Sequence, residues 1–252
     1  MKDERQNPYE TDALVNQYLE FHYGRHYFGV DNYPRRCIEA CVRGTEGLPR
    51  GKALDLGCAV GRSTFELARV FESVVGLDLS GRFIATANQL KDGGEIWYEL
   101  PVEGSFAERR KADLSEYGLS DVRARTEFCR GDACSLDHGD MDVDLVFAGN
   151  LLDRLYEPRR FLRSVKSDIR LGGVLVISSP YTLLEAFTPR ENWLSGYNPD
   201  GSYISTFEGM RKMLEPDFGL LQAPIDVPFV IRETARKFQH TVAEMSMWQR
   251  VR

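Results

Sequence analysis

The chain has 252 residues, 42% of them hydrophobic, which suits one large α/β domain, alone or with a lid, and makes two independent domains an unattractive reading. Its formal net charge is −6, and beyond the short Arg109-Arg110-Lys111 cluster no basic run could neutralise a phosphate backbone, which argues against nucleic acid as a partner. No stretch approaches the ~20 apolar residues of a membrane helix, and the polar start, Met1 to Glu10, is not a secretory signal, so the expectation is a cytoplasmic protein without a membrane partner.

In chain order, Asn7-Pro8 can open a helix, and Leu14, Val15, Tyr18, Phe21 and His22 then fall on one helical face. A second helix is predicted from about Pro34 to Arg43, ended by Gly44. Together they form an N-terminal helical cap over residues 1–48. The five cysteines (Cys37, Cys41, Cys58, Cys129 and Cys134) lie in or beside regular segments, a pattern of reduced compartments. Cys37 and Cys41 share a face with Ile38 and Val42, so packing is expected there and no metal site.

Strand and helix signals then alternate: strand Lys52 to Leu56, helix Arg62 to Phe71, strand Ser73 to Leu79, helix Arg82 to Lys91. Such alternation predicts a parallel sheet covered on both faces. Residues 92–125 interrupt it and read as an insertion. Strands Thr126 to Arg130 and Val143 to Ala148, helix Pro158 to Arg170 and strand Gly173 to Ser179 resume it. Residues 181–203, with Trp193 and Tyr197 and little periodicity, read as a lid. Strands Asp226 to Arg232 and Val242 to Arg250 complete a seven-stranded, mostly parallel sheet whose last strand is antiparallel. The expectation is a single α/β domain of Rossmann-like type.

The junction after the first strand carries the chemistry. Asp55, Gly57, Ala59 and Gly61, with Cys58 inside the turn, follow the acid-x-Gly-x-small-x-Gly spacing of S-adenosylmethionine (SAM) methyltransferases; a dinucleotide turn would want Gly-x-Gly-x-x-Gly and here meets Ala59 and Arg62. Ligands of open α/β sheets sit outside the carboxyl ends of the strands. Asp78, with Leu79 behind it, closes the second strand, where an acid can accept both ribose hydroxyls. Asp132-Ala133 follows the third and suits an adenine edge. Asn150-Leu151 ends the fourth, on the reactive side, while Asp144 begins that strand and reads as structural. The cofactor expected is SAM, leaving as S-adenosylhomocysteine (SAH).

The run Asp55-Leu-Gly-Cys-Ala-Val-Gly-Arg-Ser, with Gly131-Asp-Ala-Cys134, Asn150-Leu-Leu-Asp-Arg-Leu155, Ser179-Pro-Tyr-Thr-Leu-Leu-Glu185 and the tail Asp226 to His240, resembles the methyltransferase module of ovothiol biosynthesis. Tyr18-Leu-Glu-Phe-His-Tyr-Gly24 and the tail make the match specific. The resemblance implies a class I fold and methylation of an imidazole nitrogen, the π position, of 5-thiohistidine or its selenium analogue 5-selenohistidine. It also implies a separate iron-dependent synthase as a partner. The iron-binding half of that family uses His-x-x-x-His-x-Glu; here His22 and His26 are followed by Phe28, so metal ligation is not expected.

For such an acceptor, catalysis is mainly positioning. Tyr23, Tyr27 and Asn150 are the expected catalytic groups, with Phe28 and Tyr181 packing the substrate. Arg232 and Arg236, with His240 and Gln239 nearby, are candidates for the carboxylate of the amino acid, because a guanidinium matches it with two hydrogen bonds. Transfer to another small acceptor such as histidine or a thiol, an NAD-linked oxidoreductase, and a SAM-binding scaffold without turnover are the alternatives.

Overall fold

In a computed structural model, which describes residues 9–135 and 141–252, the chain runs α1 (Asp12–Tyr23), α2 (Tyr33–Gly44), β1 (Lys52–Leu56), α3 (Arg62–Leu67), β2 (Ser73–Asp78), α4 (Gly81–Gly93), β3 (Glu95–Glu103), β4 (Phe106–Asp113), β5 (Thr126–Arg130), β6 (Val143–Gly149), α5 (Pro158–Ser164), β7 (Ile169–Ser179), β8 (Gly196–Tyr197), β9 (Tyr203–Ile204), α6 (Thr206–Leu214), β10 (Phe218–Leu220), β11 (Ile225–Arg232) and β12 (Phe238–Arg250). The Asn7-Pro8 helix opening lies outside the described residues. Inside them, Thr11 caps α1 by accepting from the Leu14 N–H, and Asn32 caps α2 with Pro34 in its first turn.

The main sheet has the order β10-β12-β7-β6-β1-β2-β5, with β11 also on β12. Strands β5, β2, β1, β6 and β7 are parallel, and β12 runs antiparallel to β7, β10 and β11. Among the described residues the main sheet has eight strands rather than the seven expected, because short β10 joins β11 in pairing with β12. Aliphatic side chains from both faces build the core: Leu54, Leu56 and Val146 meet Phe161 and Trp248 on one side, and Ala53, Leu145 and Val176 meet Cys37, Ile38 and Cys41 of α2 on the other. Burial holds both of these thiols at about 12, as expected of packing residues.

Three departures from the sequence reading shape the site. Helix α3 stops at Leu67, and α5 stops at Ser164, so β7 starts at Ile169, four residues early, with a register shift before Val174. Residues 95–113 of the insertion are an antiparallel hairpin, whose Tyr98, Leu100 and Ala112 pack with Leu19 and Tyr23 of α1. Strand β12 begins at Phe238 instead of Val242, and its last pair with β7 is Glu244 with Ser179. Residues 238–243 therefore pair with β11 alone, and the β11–β12 hairpin projects as an arm past the carboxyl end of β7.

The segment read as a lid is pinned down. Thr188 donates to the Leu155 carbonyl (2.6 Å), Asn192 to that of Tyr156 (2.9 Å), and Arg159 to that of Trp193 (2.8 Å), while Leu194 is buried against Gly209 of α6. Among the described residues, no helix is long and apolar enough to cross a membrane.

Candidate active site

Outside the carboxyl ends of the parallel strands, the β1–α3 turn enters the left-handed region three times, at Gly57 (φ +74°), Ala59 (+48°) and Gly61 (+89°). Ala59 does more than tolerate a methyl group there: it holds a backbone conformation that costs an L residue about 1–2 kcal/mol, and its N–H is fixed to Asp78 Oδ2 at 3.0 Å. A Cβ at Gly61 would come within 2.8 Å of Phe128, and one at Gly57 within 3.1 Å of Leu151. Packing from neighbouring strands thus demands small residues alongside any need of a ligand.

Asp55 is buried, and its Oδ2 accepts from Ser63 and Thr64 of α3, at 2.6 Å each. Its Oδ1 has no hydrogen-bond partner among the described residues. Asp78 accepts from the N–H groups of Ala59 (Oδ2) and Ser80 (Oδ1, 2.8 Å), clamping the end of β2 to the turn. Burial is the main cause that pushes each carboxyl up to about 6. Leu79 follows as a large apolar side chain left 51% exposed, a surface on which a base could stack. Beside it runs a segment that sequence reasoning did not assign to the site: the Tyr9 carbonyl accepts from Ser80 Oγ (2.9 Å) and Glu10 from the Gly81 N–H (2.7 Å), at the start of α4. An acid that can cap a helix was the available signal, but its partner is 71 residues away.

Asp132 accepts from the Cys134 N–H (2.9 Å) and the Tyr156 hydroxyl (2.8 Å), and Ala133 is buried beside it. Asn150 ends β6 in the left-handed region (φ +51°), with its N–H on the Ser178 carbonyl at 2.8 Å. Its Oδ1 is 2.7 Å from the hydroxyl of Tyr33, another residue the sequence gave no reason to select.

The arm carries several of the expected acceptor-side residues along one face. Cross-strand partners share a face, so the pairs Arg232–Phe238, Val230–His240 and Asp226–Glu244 put Arg232, Phe238, His240 and Glu244 on one side. Tyr181, also left-handed (φ +53°), donates to Glu244 at 2.7 Å, which turns that side toward the strand ends. At its far end, the Phe238 ring lies 4.9 Å from Tyr27 and 5.0 Å from Phe28, and Arg232 donates to the Tyr27 hydroxyl at 3.2 Å. Arg232 is 6% exposed, and its nearest carboxylate is Glu108 at 3.8 Å. Phe28 and Gly29 make the tight turn that carries Tyr27 there, with Val30 N–H on the Tyr27 carbonyl.

Two expectations are corrected. Tyr23 is 2% exposed and donates to the Val60 carbonyl at 3.0 Å, so it supports the glycine turn from α1 and does not face an acceptor. Arg236 lies in the exposed turn at the tip of the arm, its N–H on Thr234 Oγ1, away from the strand ends. His240, on the crevice face of the arm, is exposed. His22 has Nδ1 buried without a hydrogen-bond partner among the described residues, and burial together with Arg62 drives its imidazolium down to about 3. His26 is turned instead to Asp31, at 3.5 Å.

A methyltransferase domain family matches residues 54–177. Residues 54–177 are thus a SAM-dependent methyltransferase domain, set in a Rossmann-like α/β fold. Its fold resembles that of the N-methyltransferase NodS from Bradyrhizobium japonicum WM9, solved with SAH (TM-score 0.52, 13% identity, 94% of this chain and 99% of that one). It also resembles YcgJ from Bacillus subtilis (0.55, 11%, 86% and 99%) and a protein from work on the conversion of a disulfide bond into a thioacetal group during echinomycin biosynthesis (0.54, 18%, 84% and 81%). No functionally curated protein matches the chain.

The crevice of this methyltransferase fits its cofactor chemically: the unpartnered Asp55 oxygen can take an ammonium or its bridging water, Asp78 keeps lone pairs for ribose hydroxyls, and Leu79 offers an apolar platform. Because burial raises both acids, they are protonated in the free protein below about pH 6, and the ionised form that a cationic or hydroxyl-bearing ligand favours is lost as pH falls. SAH affinity measured by calorimetry is therefore expected to drop about 10-fold between pH 7 and pH 5 for each carboxylate the ligand needs. A flat profile would remove both acids from the site.

Proposed function

We propose that this methyltransferase moves the methyl group of SAM to the π nitrogen of 5-thiohistidine or 5-selenohistidine, in an ovothiol- or ovoselenol-type biosynthesis. In that reading a separate iron-dependent synthase supplies the acceptor. The observation that carries it is the face of the arm, where the Phe238 ring packs on those of Tyr27 and Phe28 beside the buried guanidinium of Arg232, whose nearest carboxylate is Glu108 at 3.8 Å. A small amino acid with a flat ring and a carboxylate suits an aromatic surface that lies beside a guanidinium. His240 and Tyr181 border the substrate, and Arg236 could reach it only from the tip of the arm.

On the cofactor side, Asp55, Gly57, Cys58, Ala59 and Gly61 would hold the methionyl end, Asp78 and Leu79 the ribose and base, and Asp132, Ala133 and Leu151 the remaining wall. SAM supplies a methyl group activated on a sulfonium. The protein's task is to align the ring nitrogen with that methyl. Burial and their carboxylate partners hold the hydroxyls of Tyr27 and Tyr181 above the usual phenol range, so both act as donors and not as bases. The acceptor reacts in the form whose chalcogen is ionised and whose attacking nitrogen carries no proton, so that nitrogen's own lone pair forms the bond.

Labelled SAM incubated with histidine, 5-thiohistidine and 5-selenohistidine, followed by NMR location of the new methyl, tests the proposal. Ring N-methylation of a chalcogen-bearing acceptor is the expected result. Turnover of histidine alone, or of none of the three, overturns it.

A further inference from the structure

An acceptor of the proposed kind carries two nucleophiles, a ring nitrogen and a softer chalcogenolate, and an enzyme that methylates the nitrogen must restrain the other. We propose that Tyr33 locks the side-chain amide of Asn150 so that its Nδ2 hydrogens face the crevice, and that this donor holds the chalcogenolate away from the methyl group. The inference rests on the acceptor class proposed above.

Tyr33 is 4% exposed, with its ring beside Phe21 and Phe229 and its hydroxyl 2.7 Å from Asn150 Oδ1 and 2.8 Å from Ser178 Oγ. One hydroxyl has one proton. Asn150 Oδ1 has none, so Tyr33 donates to it and the Ser178 hydroxyl donates to Tyr33. The Asn150 N–H on the Ser178 carbonyl and the left-handed backbone fix the Cα as well. With Oδ1 held, the amide plane leaves Nδ2 on the opposite side, and no acceptor among the described residues takes it. Burial keeps the Tyr33 phenol protonated, so it is a positioning residue and not a base.

A pair of N–H donors suits an anion. Hydrogen-bonded there, the chalcogenolate is both displaced and made less nucleophilic. The ring nitrogen's lone pair then forms the new N–C bond while the methyl–sulfur bonding pair leaves with sulfur, giving SAH. The positive charge gained by the ring is balanced by the chalcogenolate, and no proton needs to move.

The test compares the full chain with Tyr33→Phe and Asn150→Asp, the second replacing a donor by a repelling carboxylate. Each variant is checked by thermal melt and SAH calorimetry, then assayed with 5-thiohistidine and 5-selenohistidine. Expected are SAH affinities within about 2-fold of the parent, kcat down roughly 10-fold in Tyr33→Phe, KM up roughly 100-fold in Asn150→Asp, and chalcogen-methylated product in both. N-methylation at parental kcat and KM in both variants overturns the inference and leaves the proposed acceptor standing. Loss of SAH binding in both, in folded protein, also overturns it, since Asn150 would then serve the cofactor. Failure of the parent to methylate either chalcogen acceptor overturns the acceptor class and this inference together.

Discussion

Replacing Asp78 with asparagine should weaken SAH binding by roughly 30- to 100-fold, about 2–3 kcal/mol, the range for hydrogen bonds made by a charged acceptor. The loss has two sources. An amide keeps one acceptor oxygen where the carboxylate had two, so fewer lone pairs remain for ribose hydroxyls. Its NH2 group would also confront either the Ala59 or the Ser80 N–H, both of which now point at Asp78, and the clash would loosen the end of the glycine turn. Thermal stability of the free protein should change little, because the lost hydrogen bond is offset by no longer burying a carboxylate that its surroundings already drive up to about 6. Calorimetry with SAH and parallel melts separate these effects; an unchanged Kd would place the ribose elsewhere. Asp132→Asn, where a hydroxyl and one N–H are the donors, should cost less, since the Tyr156 hydroxyl can rotate to suit the new group.

The parts of this site that the sequence disclosed are those written in consecutive residues. The glycine turn was readable because strand, turn and helix follow one another within a dozen residues, and the fold followed from alternating strand and helix patterns. What escaped is written in distant pairs. Tyr33 meets Asn150 and Ser178 across 117 and 145 residues, and nothing near Tyr33 announces either partner. The start of β12 was missed because Phe238 to Val242 stand clear of the main sheet, where no core imposes apolar alternation. Tyr23 was assigned to the wrong side of α1 for a simpler reason: it stands one residue, about 100° of rotation, beyond His22, and so enters the cluster of Cys58, Val60 and Phe65. For α6 the signal was present and unused. Ser205-Thr-Phe-Glu208 is a capping box, and both of its reciprocal hydrogen bonds form.

Arg62→Ala should destabilise the protein by about 3 kcal/mol, the lower end of what it costs to break a buried ion pair by removing one member. Arg62 is 2% exposed, Nε and Nη2 each lie 2.8 Å from Glu66 Oε1, and Nη1 donates to the His22 carbonyl at 3.1 Å. Its guanidinium also lies over the rings of Tyr117 (4.1 Å) and Tyr23 (5.4 Å). Truncation leaves Glu66, itself 4% exposed, with Arg69 at 2.6 Å as its remaining cation, which is why the lower figure applies. The paired change Arg62→Met with Glu66→Gln should cost less than the single one, because it removes the stranded charge and keeps most of the packing volume. Urea titrations of the parent, the single variant and the double variant measure the order, and a double variant as unstable as the single would show that packing against the two tyrosines, not charge, is what Arg62 contributes. Activity should respond too. The His22 carbonyl that Arg62 grips ends the last turn of α1, the helix whose Tyr23 braces the glycine turn, so the single variant should bind SAH more weakly even at temperatures where it is fully folded.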